Sequence, residues 1–152
     1  MENKRKTTEV YLREMISSPE NCANMLDFIA WAKSVNLSVK KTNQSKWSVA
    51  FKGGKNICWL LLKYGGWVLI PLKHSDFSDC DALKEYIWKS INPCNKCRAN
   101  TWTNCVKPRT ICGKHFENTC ASIPLEFVNP DAETLREIKK VISTRIKLHF
   151  GG

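Results

Sequence analysis

Eight cysteines give this 152-residue sequence most of its reactive side chains. Five of them, Cys94, Cys97, Cys105, Cys112 and Cys120, fall in one short stretch. Their spacing is Cys94-x2-Cys97-x7-Cys105-x6-Cys112-x7-Cys120. A Cys-x2-Cys pair sets two thiolates on one tight turn, near enough to share one Zn²⁺ at about 2.3 Å, and two further thiolates complete the tetrahedron. The chosen ligand set is Cys94, Cys97, Cys105 and Cys120, with Cys112 and His115 as substitutes. Such a site adds its binding energy to folding, because the unfolded loop holds no preformed site. Other readings of the thiols stay open. Reduced cysteine packs as a small hydrophobe, which suits Cys112 in the apolar context Thr-Ile-Cys-Gly-Lys as well as Cys22, Cys58 and Cys80. A redox pair follows a strand and opens a helix, whereas Cys94 follows a predicted helix and Pro93. The spacing fits neither ferredoxin pattern.

A second constellation is basic and aromatic. The chain carries 24 basic against 14 acidic residues, a formal charge of +10, which favours anionic partners. No acidic residue stands between Asp27 and Asp76, yet that stretch holds eight lysines. Lys52, Lys55 and Lys63 are expected to share one face of a sheet with Trp59. Such a face suits phosphates and a stacked base, an apolar anionic small molecule, or a second copy of the chain in a homodimer; the bland alternative is a solvated surface with Trp59 covered. No catalytic set accompanies it. His74, His115 and His149 lie far apart, Ser75 is only a neighbour of His74, and no glycine-rich phosphate loop follows a strand.

These groups need elements to place them. Residues 7–16 are expected to form a short helix with Tyr11, Leu12 and Met15 inward. Residues 20–35 form a second, on the spacing of Cys22, Met25, Leu26, Ile29 and Ala32. From Lys40 to Leu72 the period changes. Trp47, Val49 and Phe51 alternate with Ser48 and Ala50, and two further apolar runs follow. Gly53-Gly54 and Gly65-Gly66 between those runs suit type I′ turns, giving an antiparallel meander. One face then holds Trp47, Val49, Phe51, Cys58, Leu60, Leu62, Trp67 and Leu69 as core. The other holds Lys52, Lys55, Ile57, Trp59, Lys63, Val68 and Ile70. A third helix is expected over 79–90, with Ser78 and Asp81 at its start and Leu83, Tyr86 and Ile87 inward. Residues 93–122 read as an irregular Cys-rich loop, and Leu125–Val128 as a short strand. The last helix is expected over 130–149, capped by Asn129, with Leu135, Ile138, Ile142 and Ile146 on one face.

The expected fold is α+β: one domain over 1–152, a three- to five-stranded antiparallel meander, helices chiefly on one face, and a disordered basic tail at 1–6. No apolar run reaches the roughly 18 residues of a membrane span, and no hydrophobic stretch follows the basic start. The expected location is therefore cytoplasmic. The expected function is a non-enzymatic binding or regulatory domain with a zinc-stapled loop. The alternatives are a nucleic-acid-binding domain using the lysine-rich face, and a thiol-disulfide redox protein.

The order of helix, glycine-turned sheet, helix and closing helix resembles small bacterial α+β domains of the YdhG-like and YjbR-like kind. Cys94-x2-Cys97, the segment Thr110-Ile-Cys-Gly-Lys-His-Phe-Glu-Asn-Thr-Cys120 and the Asn129-Pro-Asp-Ala-Glu helix start resemble a Cys-rich branch found in anaerobic Firmicutes. The resemblance implies a compact α+β fold. It implies an aromatic residue as the usual occupant at Cys112, which leaves the other four thiols as ligands. For YjbR-like domains it also implies a DNA-binding surface.

Overall fold

The computed structural model describes residues 7–71, 83–91, 106–120 and 125–150. Its contacts group into two compact units. One runs to Leu69 and takes in Val128–Ala132; the other comprises the described residues from Ile70 to Phe127 and from Glu133 onward.

The first unit begins with helix α1, Thr8–Met15, whose N-terminus is capped by the Thr7 hydroxyl, an acceptor for the Val10 N–H at 3.3 Å. Arg13 forks onto Glu9 one turn back, and that hydrogen bond raises the guanidinium pKa. Leu12 is the buried residue of α1, with Ile16 just beyond it, while Met15 points outward. The expected inward Met15 is thus displaced by Ile16, which the extended chain after the helix carries into the core.

Helix α2, Pro19–Ser34, starts as its sequence dictates. The Ser18 hydroxyl accepts from the Asn21 N–H, Pro19 takes the first turn, and Glu20 suits the positive helix end. Cys22, Met25, Phe28, Ile29 and Ala32 are buried at steps of three and four. Each large apolar side chain so buried contributes about 1.5–3 kcal/mol. Asn36, at φ 64°, ends the helix in the left-handed region that asparagine tolerates.

A five-stranded sheet follows in the order β1-β2-β3-β4-β7. The strands are β1 Leu37–Asn43, β2 Lys46–Phe51, β3 Asn56–Lys63, β4 Gly66–Pro71 and the short β7 Phe127–Val128. The sequence does not mark off β1 from its surroundings, because Lys40, Lys41, Thr42 and Asn43 give it an exposed half with no apolar alternation. Trp47, Val49 and Phe51 are buried as expected, and so are Cys58, Leu60, Trp67 and Leu69. Helices α1 and α2 cover this side: Tyr11 meets Trp47 at 6.2 Å and Phe28 meets Trp67 at 6.5 Å between ring centroids.

Both glycine pairs turn differently from expectation. At the first, the Gly54 N–H closes onto the Phe51 carbonyl, and Gly53 alone among these residues has positive φ. The ladder between β2 and β3 shifts between Val49 and Ala50, so Ala50 pairs with Asn56 rather than with Ile57. Ile57, the extra residue at this bulge, is fully buried rather than open to solvent as part of the mixed face. At the second pair the positive-φ residues are Tyr64 and Gly65, at 58° and 71°. These two form the loop, one position earlier than Gly65-Gly66, and place Lys63 opposite Gly66. Both strands slide together, so the pairing moves by two residues and each side chain keeps its face. β4 is buried at every position, including Val68 and Ile70, which leaves the mixed face open only over β1, β2 and β3.

The second unit holds helix α3, Lys84–Lys89, with Leu83 and Ile87 fully buried. The expected start of this helix at 79–82, with Ser78, Asp81 and Cys80, lies outside the described residues. Within the segment expected to be irregular, β5 Val106–Ile111 and β6 Lys114–Cys120 form an antiparallel hairpin. Cys112 and Gly113, at φ 52° and 79°, supply the two positive φ values of a type I′ loop. Pro108 sits where the ladder shifts between Lys107 and Arg109, so its missing N–H interrupts no regular pair.

Helix α4, Ala132–Phe150, buries Leu135, Ile138 and Ile142, and half-buries Ile146. It begins two residues later than expected, because Asn129 is not its cap. Asn129 takes φ 44° and faces Trp67: its N–H donates to the Trp67 carbonyl at 2.8 Å, and its side-chain Oδ1 accepts the Trp67 N–H at 2.9 Å. The basic tail at 1–6 lies outside the described residues.

Candidate functional site

The open part of the mixed face is built by strand register. Ser48 lies opposite Trp59, and Lys46 opposite Leu61. Across the other edge of β2, Lys40 lies opposite Ser48 and Ser38 opposite Ala50. Because side chains alternate, Lys40, Ser48 and Trp59 form one row across three strands, with Lys46 and Leu61 beside it. Trp59 and Leu61 are half-buried, and Lys40 is exposed. The Lys46 Nζ stands 3.5 Å from the Trp59 ring centroid. A cation over an indole face in partly exposed surroundings contributes about 0.5–1 kcal/mol. Lys40 and Lys46 have no carboxylate partner among the described residues.

The expected cations are arranged otherwise. Lys52 and Lys55 are exposed in the turn between β2 and β3, beyond the bulge, and the Lys55 carbonyl accepts from the Phe51 N–H. Lys63 is exposed at the end of β3, with its Nζ 4.8 Å from the Tyr64 ring. Trp59 is where it was expected, but Lys46 is the ammonium on its ring and Lys40 is its neighbour across the row. Lys46 was legible, since it stands two and four positions before Ser48 and Ala50 in the same alternation. Lys40 was not, because its place depends on β1.

Of the metal-ligand set, Cys94, Cys97 and Cys105 lie outside the described residues. Cys120 ends β6, with its Cα opposite Val106. Cys112 is half-buried at the tip of the hairpin rather than packed in the core. His115 is turned to neighbours on its own hairpin: its Nδ1 lies 3.3 Å from the Thr110 hydroxyl and its Nε2 2.8 Å from the Glu117 carboxylate. Among the described residues no three His, Cys, Asp or Glu side chains come together as a metal site.

The row Thr110, His115, Glu117 has the connectivity of a hydroxyl–imidazole–carboxylate relay. Its surroundings do not suit that chemistry, because the side chains of His115 and Glu117 are 54% and 84% exposed. A relay works where water is excluded and fixed dipoles stabilise developing charge. On an open strand, bulk water screens both groups.

No family model, no curated protein and no solved structure matches the chain. Among the described residues no helix is long and apolar enough to cross a membrane.

Proposed function

We propose that the chain is a non-enzymatic binding protein that takes single-stranded nucleic acid on the face formed by β1, β2 and β3. The observation that carries this reading is the row Lys40–Ser48–Trp59 with Lys46 on the indole. An incoming base displaces the Lys46 ammonium from the Trp59 ring and stacks in its place, and Lys46 and Lys40 then meet the flanking phosphates. Stacking on an aromatic side chain contributes about 1–3 kcal/mol per base and tolerates every sequence. The phosphate contacts release counter-ions and make affinity fall with salt.

The test is fluorescence anisotropy with a labelled thymidylate oligonucleotide across a salt series. Affinity is expected to fall steeply with salt. Trp59→Ala is expected to weaken binding about 5- to 150-fold, the range that one lost stacked base predicts. Affinity that is flat in salt and unmoved by Trp59→Ala overturns the reading.

A second reading concerns the cysteines. Zinc held by Cys94, Cys97, Cys105 and Cys120 would close the segment that precedes and includes the β5–β6 hairpin. It is favoured by the register of that hairpin, since Val106, the residue after Cys105 in the chain, pairs with Cys120. About one zinc per chain in protein purified under reducing conditions, and a loss of thermal stability on Cys94→Ser, are expected. A metal-free preparation whose stability ignores Cys94→Ser removes it.

A further inference from the structure

The second unit carries an aromatic platform of its own. Trp88 on α3 is half-buried, and its indole N–H donates to the Ile111 carbonyl at 2.9 Å, so the ring is held against β5. Lys84, one turn earlier on α3, places its Nζ 5.8 Å from the Trp88 centroid. Lys114, the first residue of β6, places its Nζ 5.4 Å from Trp88 and 5.6 Å from the half-buried Phe116 ring. Arg109 pairs with Phe116 and so shares this side of the hairpin. The acidic Glu117 is on the opposite side, turned to His115. Lys84 and Lys114 have no carboxylate partner among the described residues. Two rings bracketed by ammonium groups form a surface complementary to a negatively charged, planar ligand.

We infer that Trp88, Phe116, Lys84 and Lys114 form a second stacking site for single-stranded nucleic acid, separate from the Trp59 row. The inference rests on the nucleic-acid reading of the chain. Lys84 and Lys114 hold phosphates, and the exposed part of Trp88 takes a base. The indole N–H is already committed to Ile111, so the ring recognises a base by its face and not by its edge, which makes the site tolerant of sequence. The hairpin tip at Cys112-Gly113 holds Lys114 at a fixed place beside the ring.

The experiment uses the full chain and the same thymidylate oligonucleotide, with thermal unfolding of every variant measured in parallel. The combined variant Lys84→Gln/Lys114→Gln alters side chains that leave the core intact. It is expected to weaken binding about 3- to 10-fold and to flatten the salt dependence by roughly one phosphate contact per lysine. An oligonucleotide carrying 5-iodouracil is expected, on irradiation, to crosslink to the peptide containing Trp88 as well as to that containing Trp59. Binding that responds to Trp59→Ala but not to the lysine pair, with no crosslink at Trp88, overturns this inference and leaves the strand-face reading standing. Loss with the lysine pair and crosslinking only at Trp88 supports the second site and overturns the first. An oligonucleotide that does not bind overturns both. Duplex bound as tightly as single strand removes the stacking role, since paired bases offer no free face.

Discussion

The hairpins β3–β4 and β5–β6 use the same backbone device and end in different environments. Each has a two-residue loop with both φ values positive, Tyr64-Gly65 in one and Cys112-Gly113 in the other. Each has a tryptophan beside it, Trp67 within the first and Trp88 against the second. Around the first loop the flanks read Leu-Leu-Leu-Lys and Gly-Trp-Val-Leu-Ile-Pro, and β4 is buried along its length. Around the second they read Arg-Thr-Ile and Lys-His-Phe-Glu, and apart from Ile111 the side chains near the loop are exposed or half-buried. Turn chemistry makes both hairpins; the flanking composition decides which becomes core and which becomes surface. A tryptophan whose ring is fully enclosed serves packing, whereas one held by its N–H at a wet edge keeps part of its ring in contact with solvent.

The two tryptophans offer the largest effect that can break this contrast. Trp67→Ala removes a ring with no exposed area and is expected to cost about 3–5 kcal/mol in urea unfolding. Trp88→Ala removes a half-buried ring and one hydrogen bond, and should cost about 1–2 kcal/mol while weakening oligonucleotide binding. Equal losses of stability would show that Trp88 is core, and that its hairpin is no more open than the first.

A smaller effect probes the contact between Trp67 and Asn129. A Cβ added at Gly66 would overlap Asn129 Oδ1 and stand 2.8 Å from its Cγ. Gly66→Ala therefore forces the amide away from the Trp67 N–H, and the orphaned donor predicts a loss of about 1–3 kcal/mol. Asn129→Ala should lose a similar amount. In the double variant the second change is expected to add little, because the shared hydrogen bond is already gone. Full additivity in that cycle would mean that the two residues act separately.

The same contrast explains what the chain's letters reveal. α1, α2, the meander and α4 are legible because apolar residues recur at helical or alternating steps and because Ser18-Pro19 and the glycine pairs punctuate them. The second hairpin is hidden by three local features. Pro108 argues against a strand, Thr110 to Glu117 shows little apolar alternation, and cysteine is an unusual residue at positive φ. Asn129 misleads in the opposite direction. It has the chemistry of a helix cap, yet its amide is used 62 positions away in sequence, on Trp67. The candidate face is legible by half: alternation gives Trp59 and Lys46, while the place of Lys40 depends on β1 and the displacement of Lys52 and Lys55 on a bulge at Ile57. Those are set by tertiary packing. Cys94, Cys97 and Cys105 show the reverse case, in which the spacing is informative and the residues lie outside the described structure.

The smallest effect sharpens the comparison at the loop itself. A Cβ at Gly113 meets no atom within 4 Å, so unlike Gly66 the position has room for a side chain. What it lacks is a permitted backbone: φ of 79° places an ordinary L-residue in the left-handed region, at a cost of about 1–2 kcal/mol. Gly113→Ala should therefore destabilise by about that amount. Gly113→Asn should cost clearly less, because asparagine enters this region with local hydrogen bonding that alanine cannot make. The order separates backbone strain from crowding, since crowding would penalise the larger asparagine more. Amide exchange locates the effect: protection should fall in Val106–Ile111 and Lys114–Cys120 and stay unchanged in Asn56–Lys63. If asparagine proved the worse substitute, the loop would not have the conformation that places Lys114 beside Trp88.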